Sequence, residues 1–185
     1  MKIFALATAI VDGTEEAAEL RLADYTRYVD TESALSLFGG WTGVDLSGTK
    51  PDDPLEHVAT EANQFALASF TTLAGDRTWT IRNLAEFVAI GGRGPVITSS
   101  PATIADELER WMSEADIDGF NIAAAVRPAD AERFTKYVSP ELRRRGLLPE
   151  PVECATAREQ LTGQGPHLAD DHKGAGFRLG ANALV

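Results

Sequence analysis

The chain has 185 residues, with 17 Lys plus Arg against 28 Asp plus Glu and a formal net charge of -11. That length builds one domain with a core, and 44% hydrophobic with 24% charged residues is a folding composition. The acidic balance argues against nucleic acid or a membrane surface as main partner, because both need basic residues, and one cysteine, Cys154, excludes a disulfide framework or a cysteine-rich zinc site.

Residues 2–11 are apolar on both faces and read as a buried strand of a parallel sheet. The run is too short to span a bilayer, and Asp12-Gly-Thr-Glu-Glu16 resembles a strand-to-helix turn more than a cleavage site. The chain therefore reads as cytoplasmic. Opening at once on an interior strand, it reads as starting inside a larger fold. Thr14 caps the next helix, with Glu15 and Glu16 in its first turn and Ala18, Leu22, Tyr25 and Val29 at helical spacing.

Residues 31–90 read as an insertion of about sixty residues, a length that usually serves lids and binding surfaces. Its first part, through residue 60, is rich in Gly, Pro, Asp, Ser and Thr and reads as a structured excursion packed on something. Leu37, Phe38, Trp41, Val44 and Leu46 demand burial. Short helices are expected around Ala66–Leu73 and Leu84–Val88. Phe38, Trp41 and Thr42 are pocket candidates; the aromatics either cap an apolar cavity or anchor the excursion. His57 reads as an exposed loop histidine rather than a general base.

Gly91-Gly-Arg-Gly94 lacks the trailing glycine of a dinucleotide fingerprint and the Lys-Ser/Thr of a P-loop, so it reads as a tight turn. Pro95–Ser99 is a second strand. Ser100 and Pro101 occupy the N-cap and N1 positions of a helix with Ile104, Leu108, Trp111 and Met112 as its buried stripe. Asp116–Gly119 is a turn and Phe120–Val126 a third strand. Asn121, polar in an apolar run, bonds either a ligand or a neighbouring segment; with Phe120 it completes the pocket candidates, and Thr8 shares its ambiguity. Pro128–Asp130 opens a last helix carrying Phe134, Val138 and Leu142, with a kink or restart at Ser139-Pro140 and an end at Gly146.

Strands alternating with helices predict an α/β fold with parallel strands and helices outside. Residues 150–185 read as an extended C-terminal arm. His167 and His172 flank Asp170 and Asp171 there without metal-site spacing, and Cys154 has no basic neighbour to activate it.

Six segments in order carry a resemblance. They are Ser33-Ala-Leu-Ser-Leu-Phe-Gly-Gly-Trp-Thr-Gly-Val-Asp-Leu-Ser-Gly, Gly91-Gly-Arg-Gly-Pro, Ser100-Pro-Ala-Thr-Ile-Ala-Asp-Glu-Leu-Glu-Arg-Trp, Ala115-Asp-Ile-Asp-Gly-Phe-Asn-Ile, Ser139-Pro-Glu-Leu-Arg-Arg-Arg-Gly-Leu, and the tail Arg158-Glu-Gln-Leu with Asp170-Asp-His. Together they resemble the C-terminal half of bacterial-luciferase-like flavin monooxygenases. The nearest group acts on alkanes, dibenzothiophene sulfone, dimethyl sulfide and nitrilotriacetate.

The resemblance implies the C-terminal part of a TIM-type (β/α)8 barrel. Residues 1–149 are then a partial barrel domain, with 31–90 an insertion over the barrel mouth, and 150–185 the arm. It also implies reduced FMN supplied by a separate flavin reductase, and insertion of one oxygen of O2 into a small organic substrate. A whole barrel takes at least about 200 residues. The first half of the barrel, with much of the flavin-phosphate site, is missing from the motifs, so no flavin-binding or catalytic residue carries over. The chain alone is expected to be inactive. Its expected partner is either a complementary N-terminal half-barrel chain or a second copy of itself. A stand-alone oligomeric remnant and an apolar-ligand binding module are the alternatives.

Overall fold

A computed structural model describes residues 2–150 and 156–177; Cys154 lies outside them. The chain divides into two compact units, Met1–Leu148 and Pro149–Val185.

The first unit is built on three parallel strands: β1 (Phe4–Val11), β2 (Val96–Ser99) and β3 (Gly119–Ala123), in the order β2-β1-β3. Consecutive barrel strands are neighbours, which places β2 in the middle of three; here β1 is central. The longest strand, with a continuous buried run from Ala7 to Val11, has both edges hydrogen-bonded, and the two short strands take the outside. Among the described residues the parallel α/β layering expected from the sequence is present, and a closed barrel is not.

The register sorts the strands into two faces. Ala9, Val11, Ile97, Phe120 and Ile122 share one face and pack on Ile104 and Leu108 of the following helix and on Val138. Phe4, Leu6, Thr8 and Ile10 share the other with Val96, Thr98 and Asn121. This second face is uneven: Thr8 and Ile10 are buried, whereas Phe4 and Leu6 stay 37% and 40% exposed. The expectation that residues 2–11 are buried throughout therefore fails at the start of β1.

Helix α1 (Glu15–Thr26) is capped by Thr14, as its sequence predicts. The structured excursion begins with a regular helix that the sequence did not announce, α2 (Thr31–Thr42), capped by Asp30 and closed by Gly43 at φ 70°. Ala34, Phe38 and Thr42 fall on one buried stripe, and that burial offsets the poor helix propensity of Gly39-Gly40. Gly39 has a packing role as well, since a Cβ there would lie 2.8 Å from the Val44 carbonyl oxygen. Helices α3 (Gln64–Ala68) and α4 (Ile81–Gly91) follow. Phe38, Leu67, Phe70, Trp79, Leu84 and Val88 then form a core separate from the sheet core.

Ser100 and Pro101 start α5 (Pro101–Ala115), which ends on Asp116 in the left-handed region. β3 stops at Ala123, short of the expected Val126, because the Val126 N–H turns to the Asp130 carboxylate. Helices α6 (Ala129–Arg133) and α7 (Ser139–Arg144) are joined without a break by a π-helical turn, Phe134–Val138. Pro140 has no N–H to give the preceding turn. The wider turn absorbs this, with the Ser139 N–H bonding the Phe134 carbonyl.

In the second unit, α8 (Ala157–Thr162) carries a complete Thr156/Glu159 capping box, and Lys173–Phe177 form a 3-10 helix. Both segments are helical rather than extended; in α8 the capping box satisfies two backbone donors reciprocally.

Candidate functional site

In parallel α/β folds ligands collect beyond the C-terminal strand ends, where loops and helix starts converge. At that end of β1 stands Asp12. Its Oδ2 accepts from Arg21 Nη2 at 2.7 Å and from Arg133 Nη1 at 2.8 Å, and its Oδ1 accepts from the Gly13 N–H at 2.8 Å. The Arg21 hydrogen bond, then the Gly13 N–H, hold its carboxyl below the usual aspartate range. Asp12 stays ionised at neutral pH and joins β1, α1 and α6.

In α6, which follows β3, buried Asp130 accepts from the Tyr25 hydroxyl and the Val126 N–H, both at 2.8 Å. Burial, then the Asp130 bond, push the Tyr25 phenol upward, so it stays protonated. Neither Asp12 nor Tyr25 is tuned for proton transfer near neutrality. These groups hold the strand ends in place.

Beside Tyr25 opens a cavity of about 470 Å³, within the usual range for small-ligand sites. Its walls come from four places: Tyr25 and Tyr28 of α1 and its exit, Ser33 and Leu37 of α2, Ile90 of α4, and Val126 after β3. It opens beside the exit of β3 and against the first turns of α2.

The pocket candidates read from the sequence separate in space. Phe38 and Thr42 are fully buried on α2; Phe38 meets Phe70 edge-on, and Thr42 Oγ1 donates to the Phe38 carbonyl. Trp41 is half-buried against the same core, near Gly92. None of the three lines the cavity. Because residues 31–42 are helical, neighbouring positions differ by about 100°, and it is Leu37, beside Phe38, that faces the cavity. Phe120 packs against Trp111 on the helix-covered side of the sheet. Asn121 is exposed on the opposite face, in register with Leu6. Thr8 is buried on that same face. His57 is exposed and meets Thr71 Oγ1 at 3.3 Å. His167 and His172 build no metal cluster among the described residues. Gly91–Gly94 is a tight turn whose last glycine backs directly onto Leu6.

The sequence reading missed Asp12, Arg21, Tyr25, Asp130 and Arg133. One signal was present: Asp12 is a charge set directly on the end of an apolar strand. Its partners are not local.

These residues do not compose a flavin site by themselves. The cavity has no Lys, Arg or His in its wall to hold a phosphate dianion, and Asp30 is its one charged side chain.

No protein-family model matches the chain. It is 38% identical over 179 residues to dimethyl-sulfide monooxygenase of Hyphomicrobium sulfonivorans, covering 96% of this chain and 37% of that protein. It is 32% identical to long-chain alkane monooxygenase of Geobacillus thermodenitrificans (strain NG80-2), covering 96% and 36%. The crystal structure of riboflavin lyase with modified FMN and riboflavin superposes with a TM-score of 0.75 at 29% identity, over 97% of this chain and 39% of that one. The chain thus spans a little over a third of the length of these relatives.

Proposed function

We propose that this chain, which belongs to the bacterial-luciferase-like monooxygenases, is the C-terminal portion of an enzyme that uses reduced FMN to insert one oxygen of O2 into a small organic substrate. Its relatives' names include a dimethyl-sulfide and a long-chain alkane monooxygenase. In this reading residues 1–149 are part of a (β/α)8 barrel, from whose consecutive strand order the β2-β1-β3 sheet departs, 31–90 shape the barrel mouth and 150–185 form an arm. A separate reductase supplies the flavin. The portion of the fold not represented here carries the flavin-phosphate site, and this chain supplies one wall of the substrate pocket. Phe38, Trp41 and Thr42 fix α2 so that Leu37 reaches that wall, and Asn121 faces the barrel interior.

One observation carries the reading: Phe4 and Leu6 are exposed on the central strand of the sheet. A central strand normally has both faces covered in parallel folds. Here one face waits for the remaining strands.

Reconstitution tests this. The chain is mixed with a polypeptide carrying the remaining barrel strands, and reduced FMN binding is measured with and without it. The pair binds reduced FMN and the chain alone does not. Leu6→Lys leaves the fold of the chain intact and blocks the pairing. A pair that ignores FMN, oxidised and reduced, removes the proposal.

The open edges of β2 and β3 favour a second reading, a self-associating protein without redox activity. It predicts a homodimer with no flavin affinity in any mixture.

A further inference from the structure

The cavity beside Tyr25 says what class of molecule the proposed enzyme accepts. Nine of its eleven wall residues are Ala, Val, Ile, Leu or Tyr, from α1 and its exit, α2, α4 and the β3 exit; the other two are Asp30 and Ser33. Leu37, Val126 and Tyr28 are 47%, 41% and 78% exposed, so they form the open rim. Away from the rim tyrosine, Tyr28, the polar side chains of the wall are already engaged. The Tyr25 hydroxyl donates to Asp130, and the Ser33 hydroxyl is bonded to the Asp30 carboxylate, which also accepts the Ser33 N–H at 2.8 Å. Asp30 is anionic, and no cation in the wall offsets it.

An anionic group entering this space meets a carboxylate and an apolar wall, and gives up its water for no charged partner. A neutral chain or ring loses apolar area from water and meets no such penalty.

We propose that this cavity binds apolar molecules without negative charge and rejects carboxylates, with Leu37 and Val126 as its selective rim. The proposal rests on the functional reading above, because it takes the cavity as the substrate wall.

The test is binding to the full chain, with no flavin present. Calorimetric titrations use two probes of one length, 1-octanol and octanoate. Octanol binds saturably and octanoate binds roughly tenfold or more weakly, about 1.4 kcal/mol per tenfold. Leu37→Asp and Val126→Asp, on different elements, each abolish octanol binding while circular dichroism stays unchanged; either one suffices if the other does not fold. Absence of saturable octanol binding overturns the proposal. So does octanoate binding of equal strength, or octanol binding untouched by the folded variants. Octanol selectivity without flavin binding in the reconstituted pair fails the monooxygenase reading alone, and flavin binding without octanol selectivity fails this one alone.

Discussion

The Tyr25 hydroxyl lies 2.8 Å from Oδ1 of Asp130, a residue 105 positions further along the chain. The bond fastens the end of α1 to α6, and the same carboxylate holds the Val126 N–H of the loop leaving β3. One buried acid thus fixes two walls of the cavity.

Tyr25→Phe removes one of these bonds and leaves a buried carboxylate oxygen without it. The expected loss is about 1–3 kcal/mol, the cost of an unsatisfied buried acceptor. Urea unfolding at neutral pH measures it. An unchanged midpoint shows that water or another donor replaces the phenol.

Asp12 sets a pH dependence. Its folded-state pKa is depressed by Arg21 and Gly13 below the unfolded value of ~4. The stabilisation is therefore full above the unfolded value and is lost as pH falls through the folded one. Asp12→Asn is less stable than the wild type at pH 7, and the gap closes on acidification. A gap that stays constant from neutrality down to acid assigns the stabilisation to packing instead of charge.

Gly94 lies where a Cβ would meet the Leu6 carbonyl oxygen at 2.6 Å, whereas a Cβ on Gly13 meets nothing within 4 Å. Gly94→Ala must displace backbone of the central strand, at an expected cost of about 1–3 kcal/mol. Gly13→Ala is the matched control and stays within about 0.5 kcal/mol. Thermal melts compare them; equal melting temperatures refute the close approach.

Local chemistry was readable from the sequence, and distant pairing was not. Thr14, Ser100-Pro101 and the Asp116–Gly119 turn act within a few residues, so their spacing declares them. Asp30 is an N-cap of the same kind, but Gly39-Gly40 and Gly43 hid the helix behind it. Burial of Phe38 in a core completed by Phe70 and Trp79 outweighs the glycine cost, and that core is assembled only in three dimensions. The same holds for the site. Arg133 meets Asp12 across 121 positions, and no sequence pattern announces it. The central place of β1 follows from hydrogen-bonded edges rather than chain order.

Phe70 touches Phe38, Trp79 and Phe87, each edge-on with centroids between 4.8 and 5.7 Å. Phe70→Ala leaves a cavity at this junction and costs about 3–5 kcal/mol. Hydrogen exchange accelerates in α2 and α4, and buried Trp79 shifts its fluorescence to the red. Amides of β1 exchange more slowly than those helices in the variant. Uniform acceleration across the sheet and these helices shows that the two cores unfold as one.

Residues 31–90 enter and leave the fold beside the same cavity, at Asp30 and Ile90, with a hydrophobic core that shares no residue with the sheet's own. Such a segment behaves as an exchangeable cassette. Its own core lets this stretch be replaced while the strands beneath keep their register. New cavity walls then arise by replacing one contiguous stretch of gene, without refolding the scaffold that holds it.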